Sequence, residues 1–214
     1  MDVDGEDARA FVEALGAPLP REFYARDAVR LARALLGKVL VRRAPDGVVA
    51  GRIVEVEAYR GPQDLAAHTA RGRRTPRNEV MWGECGRLYV YFVYGMHWCA
   101  NVVAAAPEKP EAVLLRAVEP LAGAATMRAR RARKVADARL ASGPANLCRA
   151  FAIDRALNGA DLLVGEATIH EGPRASRRPI ECAPRIGVDY AGAWAALPWR
   201  FFFADSPSVS APAR

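Results

Sequence analysis

Apolar residues recur in helical register at Val29, Leu31, Leu35 and Leu36, directly after Asp27 and before Gly37. Asp is a good N-cap and Gly a common helix terminator, so this segment predicts a short helix. The period then shortens to two. "KVLVRR" reads as a strand, Asp46-Gly47 as a hairpin turn, and "VVAGRIVEVEAYR" as the returning strand. "GPQDLAAHTARGRRTPRN" is a long basic loop. "GRLYVYFVYGMHWCANVVAA" gives two strands broken near Gly95, and "AVLLRAVEP" gives another. "SGPANLCRAFAI" opens as a helix, with Ser142 before Pro144, and "PWRFFFADSP" is an aromatic strand near the end. Helical and strand patterns mix without regular βαβ alternation. The expected class is α+β: one mixed domain with a curved antiparallel sheet, surrounding helices and a protruding β-hairpin. Residues 1–20 are acidic and end in "LGAPLP", which predicts a flexible N-terminal arm, loose or weakly helical; residues 21–210 are expected to form the single folded domain.

Strand periodicity sorts the chemical residues into faces. In "RIVEVEAY", strict alternation places Val54, Val56 and Ala58 on one side and Ile53, Glu55, Glu57 and Tyr59 on the other. Two carboxylates two residues apart stand roughly 7 Å apart. Such a pair suits acid/base chemistry or a metal, but the pattern alone favours a solvated strand face. Likewise, Tyr89 and Tyr91 share one face of "LYVYFVYGMHW", and Leu88, Val90, Phe92 and Tyr94 the other. Strand aromatics are usually core. Gly95, however, marks a turn or bulge that puts Tyr94 and Met96 at a tip. A ring and a thioether at an exposed tip suit a wedge between DNA base steps, and neighbouring tyrosines suit stacking on an extruded base.

Charge sharpens this picture. The 214-residue chain has formal net charge +7 and 31 Lys and Arg. Only Lys38, Lys109 and Lys134 are lysines. Arginine's planar fork matches phosphate, which points to a polyanionic partner, although biased composition also produces arginine-rich chains. "LAGAATMRARRARKVADARL" could be helical but is crowded with arginine, and its run "MRARRARK" reads as a mobile basic segment more than a specific reader. Cys85, Cys99, Cys148 and Cys182 are widely spaced, and His68, His97 and His170 lack ligand spacing. Neither a metal site nor a disulfide scaffold is expected, and no cofactor. No apolar run reaches about 20 residues, so no membrane span is expected. The start, "MDVDGEDARAF", lacks a signal peptide's apolar core. A soluble, cytoplasmic protein with reduced thiols is expected.

Taken together, "RIVEVEAYRGPQDLAAHTARGRRTPRNEVMW", "GRLYVYFVYGMHWCANVV", "AVLLRAVEPLAG", "SGPANLCRAFAI" and "RIGVDYAGAWAALPWRFF" resemble the animal-type alkyladenine (3-methyladenine) DNA glycosylase family, which also has bacterial members. The similarity runs in order from about Phe23 to about Ser210. It implies a monofunctional hydrolase that removes alkylated purines from double-stranded DNA, working as a monomer without cofactor. It further implies that Glu57 is the general base, that Arg116 helps hold the attacking water, and that Ile186 binds that water through its backbone carbonyl. Tyr59, His68 and Tyr91 correspond to the walls around the flipped base, Leu114 to a pocket-side leucine, and Asn101 to the residue crowding guanine's exocyclic amine. Tyr94 corresponds to the residue filling the gap in the duplex, with Met96 beside it. Arg71, Arg73, Arg74 and Arg77 in the basic loop either contact DNA phosphates or form a solvated loop, and Ser142 at the helix opening is a further phosphate candidate. Three departures stand out. His97 follows Met96 where some relatives have another aromatic, the segment from Asn101 to Arg116 is slightly longer than in animal relatives, and Asn146 replaces a lysine. A lesion-binding protein without turnover, or an RNA-binding module built on surface tyrosines, would use the same aromatics; neither would need Glu57 for hydrolysis.

Overall fold

The protein is described by a computed structural model covering residues 3–132, 134–173 and 178–210, with side chains from residue 7 onward. Its centre is one antiparallel sheet. The strands are β1 (Val39–Ala44), β2 (Gly47–Tyr59), β3 (Leu88–Val93), β4 (His97–Ala104), β5 (Glu111–Ala122), β6 (Ala167–His170), β7 (Ile180–Ala183) and β8 (Arg200–Phe203). The main path is β3-β4-β5-β2-β1-β6, and β8 pairs both β2 and β7. The helices are α1 (Val3–Ala14), α2 (Arg21–Tyr24), α3 (Ala28–Leu35), α4 (Ala124–Arg131) and α5 (Pro144–Ala150). No described helix is long and apolar enough to cross a membrane. The four cysteines are unbridged.

The local signals act as the sequence suggests in α3, where the Asp27 carboxylate accepts from the Val29 and Arg30 amides at 3.1 Å. In the β1–β2 hairpin, Gly47 already pairs with Ala44, so the turn residues are Pro45 and Asp46.

Two expectations change. Within the segment expected as a flexible arm, residues 3–14 form α1, and its Ala8 and Val12 are buried. Val12 packs with Val39, Val41 and Ala50 on the sheet. The acidic composition hid one apolar helical stripe. The arginine-rich run is likewise no mobile segment as far as Ala132: it forms α4 and is pinned by its own charges. Arg128 pairs with Asp137, Arg130 with Asp46, and Arg131 donates to Asn146. Arg133 lies outside the described residues.

One irregularity in β2 decides where the chemistry sits. Ala50 lies on the face covered by α1, while Ile53, Val54, Val56 and Ala58 all belong to the main core on the other face. The register against β5 shifts between Ile53 and Glu55, with one extra residue on β2. Such a bulge reverses the facing of everything beyond it. It moves Ile53 to the side opposite Glu55, contrary to strict alternation. It also sends Glu55, Glu57 and Tyr59 away from the main core. A second shift, between Glu55 and Val56, steps over Arg116 on β5. The two bulges bring an arginine and two glutamates together on one face.

Candidate active site

On that face, one row crosses four strands: Tyr89 pairs with Asn101, Asn101 with Leu114, and Leu114 with Glu57. Above it the loop after β2 and the segment around residues 186–190 enclose a cavity of about 280 Å³. That is near the lower end of small-molecule pockets, roughly 300–1,000 Å³, and suits a single nucleobase. Tyr59, His68, Tyr91, Asn101, Leu114, Arg116 and Ile186 all line it, as do Arg77 and Tyr94. Residues spread over about 130 positions of sequence therefore converge, as expected from the motifs.

Glu57 lies one layer lower. It is fully buried behind Tyr59, Arg116 and Ile186, which form the cavity wall in front of it. Its Oε1 accepts from the Ile186 amide at 2.8 Å and pairs with Arg116 Nη1 at 3.1 Å; its Oε2 accepts from the Tyr59 hydroxyl at 2.9 Å. Ile186 thus meets Glu57 through its N–H. Glu55, also fully buried, is held by a different set of donors. It accepts from Arg116 Nε and Arg200 Nη1, both at 3.1 Å, and from the Ser210 amide at 2.7 Å and Ser210 hydroxyl at 3.0 Å. The solvated-face reading of the acidic pair is therefore overturned. A lone buried carboxylate is costly, and here the two share one guanidinium. Burial works against the charge of Arg116, but Glu57 and Glu55 outweigh it and raise its pKa.

The wall groups are held neutral. Burial, then the charge of Glu57, raises the Tyr59 phenol well above its usual value, so it remains a donor. Burial also raises Tyr91 and pushes Tyr89 up to about 12. His68 is lowered to about 4 by burial and by the nearby Arg77 and Arg73 charges. Its Nδ1 bonds the Tyr89 hydroxyl at 2.8 Å, and its ring meets Tyr91 edge-on with centroids 4.4 Å apart. The backbone carrying His68 is fixed by buried Asn78, whose amide donates to the His68 and Arg73 carbonyls. Asn101 donates through Nδ2 to the Tyr89 carbonyl at 3.1 Å, so its orientation is set by the neighbouring strand.

The hairpin between β3 and β4 closes through Val93 O to Met96 N–H at 3.2 Å. Its central residues, Tyr94 and Gly95, both have positive φ, 53° and 67°, as in a primed hairpin turn. That backbone is ordinary for Gly95 and strained for a tyrosine. Tyr94 is 82% exposed and Met96 68%, so neither is a core residue. Met96 borders a neighbouring groove with Trp98 and Arg149. Arg77 reaches the hairpin, donating to the Phe92 carbonyl at 2.9 Å and lying over the Tyr91 ring at 5.3 Å. Arg73 is exposed on the loop outside the cavity. Its neighbour Arg74 is committed to Glu79 and Glu108. Ser142 is not brought to the cavity: it is buried, and its hydroxyl accepts from Arg139. Pro144 and Ala145, just beyond it, do line the cavity.

The motifs did not single out Arg185, Asp64 and Tyr190. Arg185 and Asp64 form a fully buried ion pair, with the guanidinium 4.7 Å from the Tyr59 ring centre and also bonded to the Ala58 carbonyl. The pair ties the loop after β2 to the strand and stands directly before Ile186. In a chain with this many arginines, no local signal distinguishes those that are buried. Tyr190 is an exposed aromatic on the cavity rim.

A methylpurine-DNA glycosylase (MPG) family profile matches residues 22–207. DNA-3-methyladenine glycosylase of Homo sapiens is 47% identical over 200 residues, covering 88% of this chain and 66% of the human one. The Mus musculus protein of the same name is 47% identical over 201 residues, covering 88% of this chain and 60% of its own. A protein of Methanocella arvoryzae is 50% identical over 193 residues, covering 90% of this chain and 95% of its own. With the match spanning the whole sheet and every residue that lines the cavity, the chain belongs to the methylpurine-DNA glycosylase family.

Proposed function

We propose that this protein repairs DNA by hydrolysing the N-glycosidic bond of alkylated purines, 3-methyladenine and 7-methylguanine first among them, and leaves an abasic site. The observation that carries this reading is the buried Glu57 carboxylate, fixed by three donors behind the wall of a base-sized cavity. A carboxylate has about four acceptor sites. Three are used, and the remaining one, on Oε2, is the place for a water whose proton Glu57 takes as it attacks the sugar. Arg116 and the Ile186 backbone flank that water.

A base within a duplex is out of reach, so the nucleotide is extruded at a cost of a few kcal/mol. Tyr94 fills the vacated space and opposes return. In the cavity, a purine made cationic by alkylation at N3 or N7 lies against the Tyr59 and Tyr91 rings. Cation–π attraction of this kind is worth about 0.5–2 kcal/mol. The same positive charge makes the base a good leaving group, so Glu57 has only to activate water and stabilise the cationic sugar. Asn101 stands where guanine's exocyclic amine would fall. Hypoxanthine and ethenoadenine, as neutral bases, would need a proton from the pocket. With His68 lowered to about 4, that residue is uncharged at neutral pH and does not supply it.

Incubation of a methylated duplex with the protein tests the reading. The expected products are free methylated purine and an intact strand with an abasic site, with no adduct trapped by borohydride. Lesion binding without base release would favour the non-hydrolytic reading, and strand cutting would mean an amine nucleophile.

The hairpin tip gives a second expectation. Because Tyr94 buries little area, Tyr94→Ser should melt close to wild type. Base–aromatic stacking is worth about 1–3 kcal/mol, so the variant should bind a lesion duplex roughly one to two powers of ten more weakly. A Tyr94→Ser protein with a much lower melting temperature and unchanged lesion affinity would return the residue to a structural role.

A further inference from the structure

The cavity mouth has two sides. Most lining residues are buried or half-buried; the exposed ones mark the opening. Tyr94 and His97 stand on the β3–β4 hairpin, with Arg77 bonded to it from the basic loop, and Ile186, Gly187 and Tyr190 stand on a separate segment. Any nucleotide entering the cavity passes between them. On the second side, Tyr190 is 73% exposed and Ile186 39%, an apolar pair in a basic, DNA-directed protein. Tyr190 is also anchored: its hydroxyl donates to the Ala66 carbonyl at 3.3 Å. Gly187, at φ +76°, and Gly192, at φ +59°, bracket the stretch that carries it.

We infer that Tyr190 is a substrate-contacting residue whose ring packs on the deoxyribose of the extruded nucleotide, opposite Tyr94. The inference rests on the glycosylase reading above and adds a contact to it. The base itself is taken deeper, against Tyr59 and Tyr91, so the part of the nucleotide left at the mouth is the sugar. Its C–H edges suit an aromatic face and the Ile186 side chain, whereas a phosphate at the mouth would turn to Arg77 on the hairpin side. The contact would steady the sugar ring directly over the wall that covers Glu57.

A duplex with one tetrahydrofuran abasic-site analogue is the appropriate probe, because it has the sugar but no base. Covering one exposed aromatic face corresponds to about tenfold in affinity. Tyr190→Ala should therefore bind this duplex about tenfold more weakly than wild type, with unchanged binding to an undamaged duplex. Tyr190→Phe should keep most of the affinity, since the ring makes the contact. Both variants should fold, because the side chain is mostly exposed. Equal tetrahydrofuran and undamaged affinities relative to wild type in Tyr190→Ala would overturn the inference, and so would a loss confined to duplexes that still carry the lesion base. A wild-type protein that neither prefers the tetrahydrofuran duplex nor releases base would instead refute the glycosylase reading itself.

Discussion

A Glu57→Gln protein should fold, bind a methylated duplex as wild type does, and release base about 10²–10⁴-fold more slowly in a single turnover. The fold tolerates the change because the amide satisfies the same neighbours. Its oxygen accepts from the Ile186 amide and Arg116, and its nitrogen donates to the Tyr59 hydroxyl, which can accept. Arg116 keeps its second carboxylate, Glu55. What is lost is the ability to take water's proton, and general base catalysis of this type typically contributes 10²–10⁴-fold. Base release within a few-fold of wild type would mean that another group activates the water.

Glu55→Gln should do the opposite, losing stability before chemistry. Glu55 accepts from four donors, two of them arginines, with three converging on Oε1, and the side chain has no exposure. An amide there turns an NH₂ toward donors and removes the charge that Arg116 and Arg200 share. Breaking a buried pair from one side typically costs about 3–5 kcal/mol. The melting temperature should fall markedly. At a temperature where the variant is folded, base release should stay far closer to wild type than that of Glu57→Gln. If Glu55→Gln melts normally yet loses base release as deeply, the two glutamates have been assigned the wrong way round.

The contrast between these neighbours shows what the sequence could and could not convey. Short-range signals read correctly where the chain itself supplies the partner. Asp27 caps α3, and Gly95 allows the turn that exposes Tyr94. Motif resemblance named part of the cavity wall, from Tyr59 to Ile186. Periodicity failed at Ile53, because a bulge is set by pairing with β5 and leaves no mark in one strand's alternation. For the same reason, alternation could not say that Glu55 and Glu57 are buried: that depends on Arg116, Arg200 and Ser210, which come from distant segments. Choosing Glu57 over Glu55 rested on resemblance. The structure adds a physical difference: all three partners of Glu57 line the cavity, whereas of the partners of Glu55 only Arg116 does. In α1, acidic composition concealed Ala8 and Val12, and in α4, arginine density suggested mobility where ion pairs impose order.

The central claim is that a damaged purine leaves the duplex and enters the cavity in front of Glu57. A crystal structure of the Glu57→Gln protein with a lesion-bearing duplex tests it most directly. The account predicts the purine against Tyr59 and Tyr91, the Tyr94 ring in the vacated space, and a water between residue 57, Arg116 and the bond to be broken. A lesion still stacked in the duplex, with the protein bound through its arginines and the cavity unfilled, would contradict it.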